Sequence, residues 1–382
     1  MEGGDSALSA DGVRLIDADR ALWHTARRKL FRPVDALFVA LIVVVAAGVR
    51  IPEAVQYVPF AISLVLLGLP HGALDHLVPS RLARRAPEPR GMAFVVLLYL
   101  LVGGAVVLLW FLNPVLAFVA FILTTWFHWG QGDLFVEGTR TGAGEPSRLT
   151  RAGMLTVRGA LPMVVPLVAA PAVYLGVFRD TTGVIAAPTL DLTPFFESEL
   201  LRVLIIAGLL ALGTLTFIST ARARWGTPEG RRAWWGDLGE VVLLAVYFAV
   251  VPPILAIGLY FCLWHSLRHI VRLSLLDPGS REPLSAGRFA IVARRFAVQS
   301  APITVAALGL LLALFLLVPR AGLSGGALLG LYLVLISALT LPHVVVVSIM
   351  DRRQAVWTPQ SYVTKKSQYG RGGGAALGLA PK

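Results

Sequence analysis

Cysteine is all but missing from this chain: Cys262 stands alone among 382 residues. An intramolecular disulfide is therefore excluded, and so is a thiolate metal site. Charge is scarce as well, at 15% of residues, where a soluble domain carries roughly a quarter. No internal repeat stands out, which weakens a transporter built on inverted repeats. The stretch from Met1 to Arg32 is polar and has no apolar h-region, so it does not read as a cleaved signal peptide.

Apolar residues take the place of what is lacking. They make up 56% of the chain, and the mean hydropathy is +0.74. Runs of about 20 apolar residues recur along the length, each long enough to cross a hydrocarbon layer of about 30 Å. Lipid offers the backbone no hydrogen-bond partners, so such runs must be helices. The expected fold is an all-α, polytopic transmembrane bundle of about ten helices, at 34–49, 54–78, 92–112, 114–136, 155–177, 199–219, 238–251, 254–274, 296–318 and 326–350. Pro252 and Pro253 separate the seventh from the eighth, and Asn113-Pro114 the third from the fourth. Three parts follow: a polar N-terminal segment (1–33), a transmembrane domain (34–350) that would carry any activity, and a tail (351–382) whose Gly, Lys and Arg content from Lys365 onward reads as disordered.

The net charge of +12 raises the question of nucleic acid or anionic lipid, and the positions of the charges answer it. With a cytoplasmic N-terminus, the outer segments hold only Arg50, Arg179 and Arg320. Arg202 and Arg268 fall within helices, and the rest of the 34 Lys and Arg lie inside. The longest outer loop, 178–198, is instead acidic, with Asp180, Asp191 and Glu197. Basic inner loops set orientation, so both termini are expected in the cytoplasm of a multi-pass cell-membrane protein. No nucleic-acid partner needs invoking.

Six of the seven histidines fall in expected helices: His71, His76, His128, His265, His269 and His343. His24 lies in the N-terminal segment. Ionisable groups at membrane depth are costly, which makes them candidates for function. His71, His128, His269 and His343 each lie eight or nine residues before a cytoplasmic helix end, a depth of about 12–14 Å at the helical rise. His76 is shallower. His265 and His269 are spaced i, i+4 and share one helix face, so one rigid helix offers two ring nitrogens to one ion. Imidazole suits iron, zinc, copper or nickel. Asp75 and Asp133 stand near His71 and His128 as candidate acceptors for a ligand's second N–H; Asp75, i+4 from His71, is better placed for another histidine. Trp129, Tyr260 and Trp264 are candidate walls of an apolar pocket. The alternatives are ordinary ones: interhelical hydrogen bonds for the histidines, helix-end polar groups for the aspartates, interface anchors for the tryptophans, and a carboxylate partner for Arg268.

Three stretches carry a resemblance. Leu69-Pro70-His71-Gly72-Ala73-Leu74-Asp75-His76, Phe127-His128-Trp129-Gly130-Gln131-Gly132-Asp133 and Trp264-His265-Ser266-Leu267-Arg268-His269 resemble signatures of the Brp/Blh family. These are membrane beta-carotene 15,15'-dioxygenases that form retinal in prokaryotes carrying rhodopsins. The resemblance spans about 35–350; the polar stretch 137–153 and the acidic loop 178–198 depart from it. It implies an Fe(2+) held by His71, His128, His265 and His269, with His76 and His343 near the site but not ligands. It also implies a carotenoid substrate, O2, two all-trans-retinal as products, the bilayer as surroundings, and a functional link to a retinal-binding rhodopsin. The rival classes are a heme electron-transfer protein, a di-iron desaturase or hydroxylase, for which seven histidines are too few, and a non-enzymatic carotenoid or retinal handler.

Overall fold

The computed structural model of the chain describes residues 22–138, 146–186, 190–318, 323–354 and 356–357. Most of the polar N-terminal segment, the glycine-rich tail and the centre of the polar stretch 137–153 lie outside these. Among the described residues every regular element is a helix. The long ones are α1 (Arg32–Ala46), α2 (Pro89–Leu112), α3 (Pro114–Gly138), α4 (Arg148–Ala169), α5 (Pro171–Gly183), α6 (Glu199–Arg224), α7 (Pro228–Val250), α8 (Pro253–Leu276), α9 (Phe289–Leu317) and α10 (Gly325–Arg353).

Eight of these, all but α1 and α5, are long and apolar enough to cross a membrane. Their starts are written in the sequence. Proline opens α2, α3, α7 and α8, where its missing N–H costs nothing. Ser147, Ser198, Thr227 and Ser324 cap α4, α6, α7 and α10 by accepting backbone N–H groups at 3.0–3.2 Å. Helices α4 and α8 are mostly buried, whereas α2, α6 and α9 expose most of their length. Leu100, Leu112, Leu204 and Leu316 are among the bare side chains. Such a surface is untenable in water and ordinary against lipid tails, which makes this a multi-pass membrane protein.

Two expected helices are corrected. The run 54–78 is not one helix: short helices at Glu53–Gln56 and Val58–Ser63 give way to turns, then to single 3-10 turns at Pro70–Gly72 and Asp75–Leu77. Pro59, Pro70 and Pro79 each remove a backbone donor. The run 155–177 is two helices, α4 and α5, broken where Ala170 precedes Pro171. Smaller shifts are an earlier end for α1 and an earlier start for α7. The acidic loop 178–198 also contains the end of α5 and a short helix at Thr193–Glu197. Irregular backbone at membrane depth is tolerable only where protein surrounds it, and the broken run meets that condition: Ser63, Leu69, Pro70, His71, Leu74 and Asp75 are buried. A Cβ on Gly68 would stand 2.5 Å from the Phe261 ring, so only glycine lets this run lie against α8.

Candidate metal centre

Five of the six membrane histidines meet. His71 comes from the broken run, His128 from α3, His265 and His269 from α8, and His343 from α10; all are at most 8% exposed. The His71 ring centroid is 5.4, 5.6 and 5.1 Å from those of His265, His269 and His343. His128 is 4.6 Å from His265 and 4.8 Å from His343, and His269 is 5.0 Å from His343. His76 stays outside, half-buried, with its Nδ1 on the Ala73 carbonyl at 3.0 Å. His24 is exposed.

Local structure explains the convergence. Helix α8 is not uniform: Tyr260–Ser266 winds as a π-helix before Leu267–Leu276 returns to α. Both of its histidines face His71, while His265 also stands against His128 and His269 against His343. His71 owes its place to the 3-10 turn instead of to a helical rise. Its Nδ1 pairs with the Gly68 carbonyl and lies 3.4 Å from the Ser266 hydroxyl.

The inward nitrogens fit a metal. Nε2 of His71, His269 and His343 is buried without a hydrogen-bond partner, a costly state for a polar atom in protein. Nε2 of His128 and His265 face each other at 3.0 Å. Two nitrogens each about 2.1 Å from one ion, at right angles, stand about 3 Å apart. His71, His128 and His343 offer ligand atoms mutually within 4.8 Å, as do Asp75, His269 and His343. Three of the outer nitrogens are engaged, as is usual for metal-ligating histidines: besides His71, His128 Nδ1 is 3.5 Å from Gln131 Oε1 and His343 Nδ1 is 2.7 Å from Asp75 Oδ2.

On one side the cluster borders an apolar cavity of about 180 Å³, walled by His71, His128, Trp129, Phe261, Thr340 and His343 among others. Trp129 packs on His265 and Tyr260, with centroids 5.8 and 4.9 Å away. Tyr260 and Trp264, expected as pocket walls, are buried behind it and do not line the cavity. Tyr99, which carries no histidine or motif beside it in sequence, does line it.

On the other side lies a buried charge network. Asp133 accepts from Trp264 Nε1 at 3.0 Å and Arg268 Nη1 at 3.1 Å, with Arg158 3.6 Å away. Arg158 continues to Asp237 and Glu240, both at 3.2 Å, and Arg224 joins Asp237 to Glu137 at 2.6 and 2.5 Å. Arg268 also stacks on Trp264 with its guanidinium carbon 3.6 Å from the ring centroid. Asp133 thus serves arginines and an indole, while Asp75 serves a histidine. The network ties α3, α4, α6 and α7 to α8 and so holds the register of His265 and His269.

Comparison with known proteins follows the same residues. A family model described as beta-carotene 15,15'-dioxygenase matches residues 62–351, a span holding all five histidines. A probable beta-carotene 15,15'-dioxygenase Blh of Halobacterium salinarum is 40% identical over 345 residues, covering 87% of this chain and 96% of that protein. A probable beta-carotene 15,15'-dioxygenase Brp of the same species is 30% identical over 348 residues, covering 84% and 91%. A beta-carotene 15,15'-dioxygenase of the uncultured marine bacterium 66A03 is 24% identical over 206 residues, covering 54% and 65%. No solved structure matches the chain.

Proposed function

The chain belongs to the beta-carotene 15,15'-dioxygenase family, and on that premise we propose that it cleaves beta-carotene at its central double bond, using Fe(2+) and O2, to give two all-trans-retinal. One observation carries the reading: inward-facing, partnerless imidazole nitrogens stand at the wall of an apolar cavity inside a membrane bundle. The ligands we assign to the iron are His71, His128, His265 and His269. Ferrous iron so held would supply the activation of O2, and each of the two carbons of the broken bond gains one oxygen atom.

The chain's own contribution is positioning. Apolar walls exclude water and offer a hydrocarbon no polar competitor, while Phe118, Phe121 and Phe261 give the polyene flat surfaces. The cavity is smaller than the roughly 300–1,000 Å³ that encloses a whole drug-sized ligand. It therefore encloses a segment of the polyene, with the ends reaching into its mouth and the lipid. Holding one bond beside the metal is where much of the rate arises. No side chain need carry a proton, in keeping with a cavity whose wall includes no carboxylate among the described residues.

The heme alternative fits less well, because axial ligands stand on opposite faces of a macrocycle. Here Nε2 of His128 and His265 approach to 3.0 Å, too close for a macrocycle to lie between them. The cell membrane is the proposed location, with both termini cytoplasmic, and a retinal-binding rhodopsin the proposed consumer of the product.

The test is expression in a bacterial strain that accumulates beta-carotene, beside a His71→Ala/His269→Ala variant, with retinal measured by chromatography. Retinal from the parent and none from the variant, at equal membrane expression, is expected. Chelation should abolish activity in isolated membranes, and Fe(2+) but not Zn(2+) should restore it. A well-expressed parent that leaves carotene intact and forms no aldehyde would overturn the reading.

A further inference from the structure

His343 is set apart from the other histidines by the company of its outer nitrogen. Asp75 is 1% exposed, and its Oδ2 accepts the Tyr99 hydroxyl at 2.7 Å while facing His343 Nδ1, also at 2.7 Å. A carboxylate oxygen only accepts, so with Asp75 Oδ2 taking hydrogen bonds from both neighbours the hydrogen between it and His343 sits on Nδ1. That fixes the tautomer: Nε2 of His343 carries the free lone pair, and it is the buried nitrogen with no partner. Among the described residues Asp75 is the only carboxylate paired with a histidine. Gly72 leaves the ring its place: a Cβ there would lie 3.4 Å from its Nδ1. His343 also belongs to both groups of side chains close enough to share an ion, whereas His265 belongs to neither.

The geometry points to His343 as a further metal ligand, oriented by Asp75, which is itself steadied by Tyr99 from the wall of the substrate cavity. This rests on the proposed iron-dependent reading and extends its ligand set. A carboxylate behind a ligating imidazole raises the ligand's basicity, and loss of such a partner typically weakens metal binding about 10–100-fold. Asp75 and Tyr99 are positioning residues: they act through His343. Tyr99 has a second consequence. Its ring lines the cavity and its hydroxyl reaches the carboxylate, so a polyene pressing on the ring bears on the His343 support.

The experiment measures metal binding apart from turnover. Full-length protein and the variants His343→Ala, Asp75→Asn, Asp75→Glu and Tyr99→Phe are purified in detergent and stripped. Each is titrated without oxygen with Fe(2+), and separately with Co(2+), whose visible bands report the number and geometry of ligands. Expected are one ion per parent chain, a loss of affinity of 10-fold or more with altered cobalt bands for His343→Ala and Asp75→Asn, partial rescue by Asp75→Glu, and a smaller loss for Tyr99→Phe. His343→Ala with the parent's affinity and cobalt spectrum overturns the inference. If His343→Ala does not accumulate, the near-isosteric Asp75→Asn decides alone: parental affinity and bands overturn the inference, weakened binding with shifted bands upholds it. A parent chain that binds neither ion overturns this inference together with the metal reading beneath it. A parent that binds iron but makes no retinal leaves the ligand assignment upheld while the proposed reaction falls.

Discussion

Arg158 shows how single residues hold this molecule. Its guanidinium is 1% exposed and lies within 3.6 Å of three carboxylates, Asp133, Asp237 and Glu240. Buried ion pairs add little over well-packed apolar groups, but removing one partner costs about 3–5 kcal/mol, because the other charge stays buried. Arg158→Ala should therefore lose about 3 kcal/mol of stability, the low end of that range, since Arg224 and Arg268 still reach the same carboxylates. The measurement is the thermal midpoint in detergent, with Arg158→Ala/Glu240→Ala as the check. The double variant should lose less than the sum of the two single losses, because the groups share one network. Strict additivity would mean that the network does not act as a unit.

At the scale of elements, the crossing of α3 and α4 decides where His128 stands. An added Cβ on Gly130 would lie 2.1 Å from the Leu155 carbonyl oxygen, and one on Gly159 would lie 2.1 Å from that of Trp126. The two glycines thus let the backbones touch, a device common between membrane helices, where small residues replace the hydrophobic drive that lipid removes. Trp126 Nε1 donates across the same crossing to the Thr156 carbonyl at 2.8 Å. Gly130→Ala should cost about 1–3 kcal/mol, the range for overpacking. It should also lower retinal yield beyond any fall in protein level, because Gly130 is two residues from His128. Gly213→Ala on α6, where nothing lies within 4 Å of the new Cβ, is the comparison. Equal behaviour of the two variants would refute the close-contact account.

For the whole molecule the open question of orientation has a direct test. The distribution of Lys and Arg puts 83–88 inside and 178–198 outside. Cys262 is buried and is the only thiol, so the parent offers little background for labelling. Ala86→Cys and Leu190→Cys stand at exposed positions on the two sides. An impermeant maleimide applied to intact cells should label the Leu190→Cys protein and spare the Ala86→Cys protein until the membrane is opened. The reverse pattern would invert the topology and move the histidine centre to the outer half of the bilayer.

Composition and patterning determined much of this protein unaided. Apolar runs of spanning length, prolines at helix starts and Ser or Thr caps are local features, and each marks its helix without reference to the rest of the chain. The histidines were legible for a similar reason: a costly group in an apolar run is conspicuous wherever it later points. Tertiary structure decided what depends on elements distant in sequence. Periodicity does not reveal that the run through His71 abandons the helix, because its backbone groups are tolerable only once α8 and α10 surround them. Nor does it reveal the π-helix at Tyr260–Ser266 that carries His265, since a wider turn leaves composition unchanged. Tyr99 was silent for the plainest reason. Its meaning lies in a hydrogen bond to Asp75, 24 residues away, and through it in His343, another 268 along the chain; spacing within one helix carries no information about a contact between three.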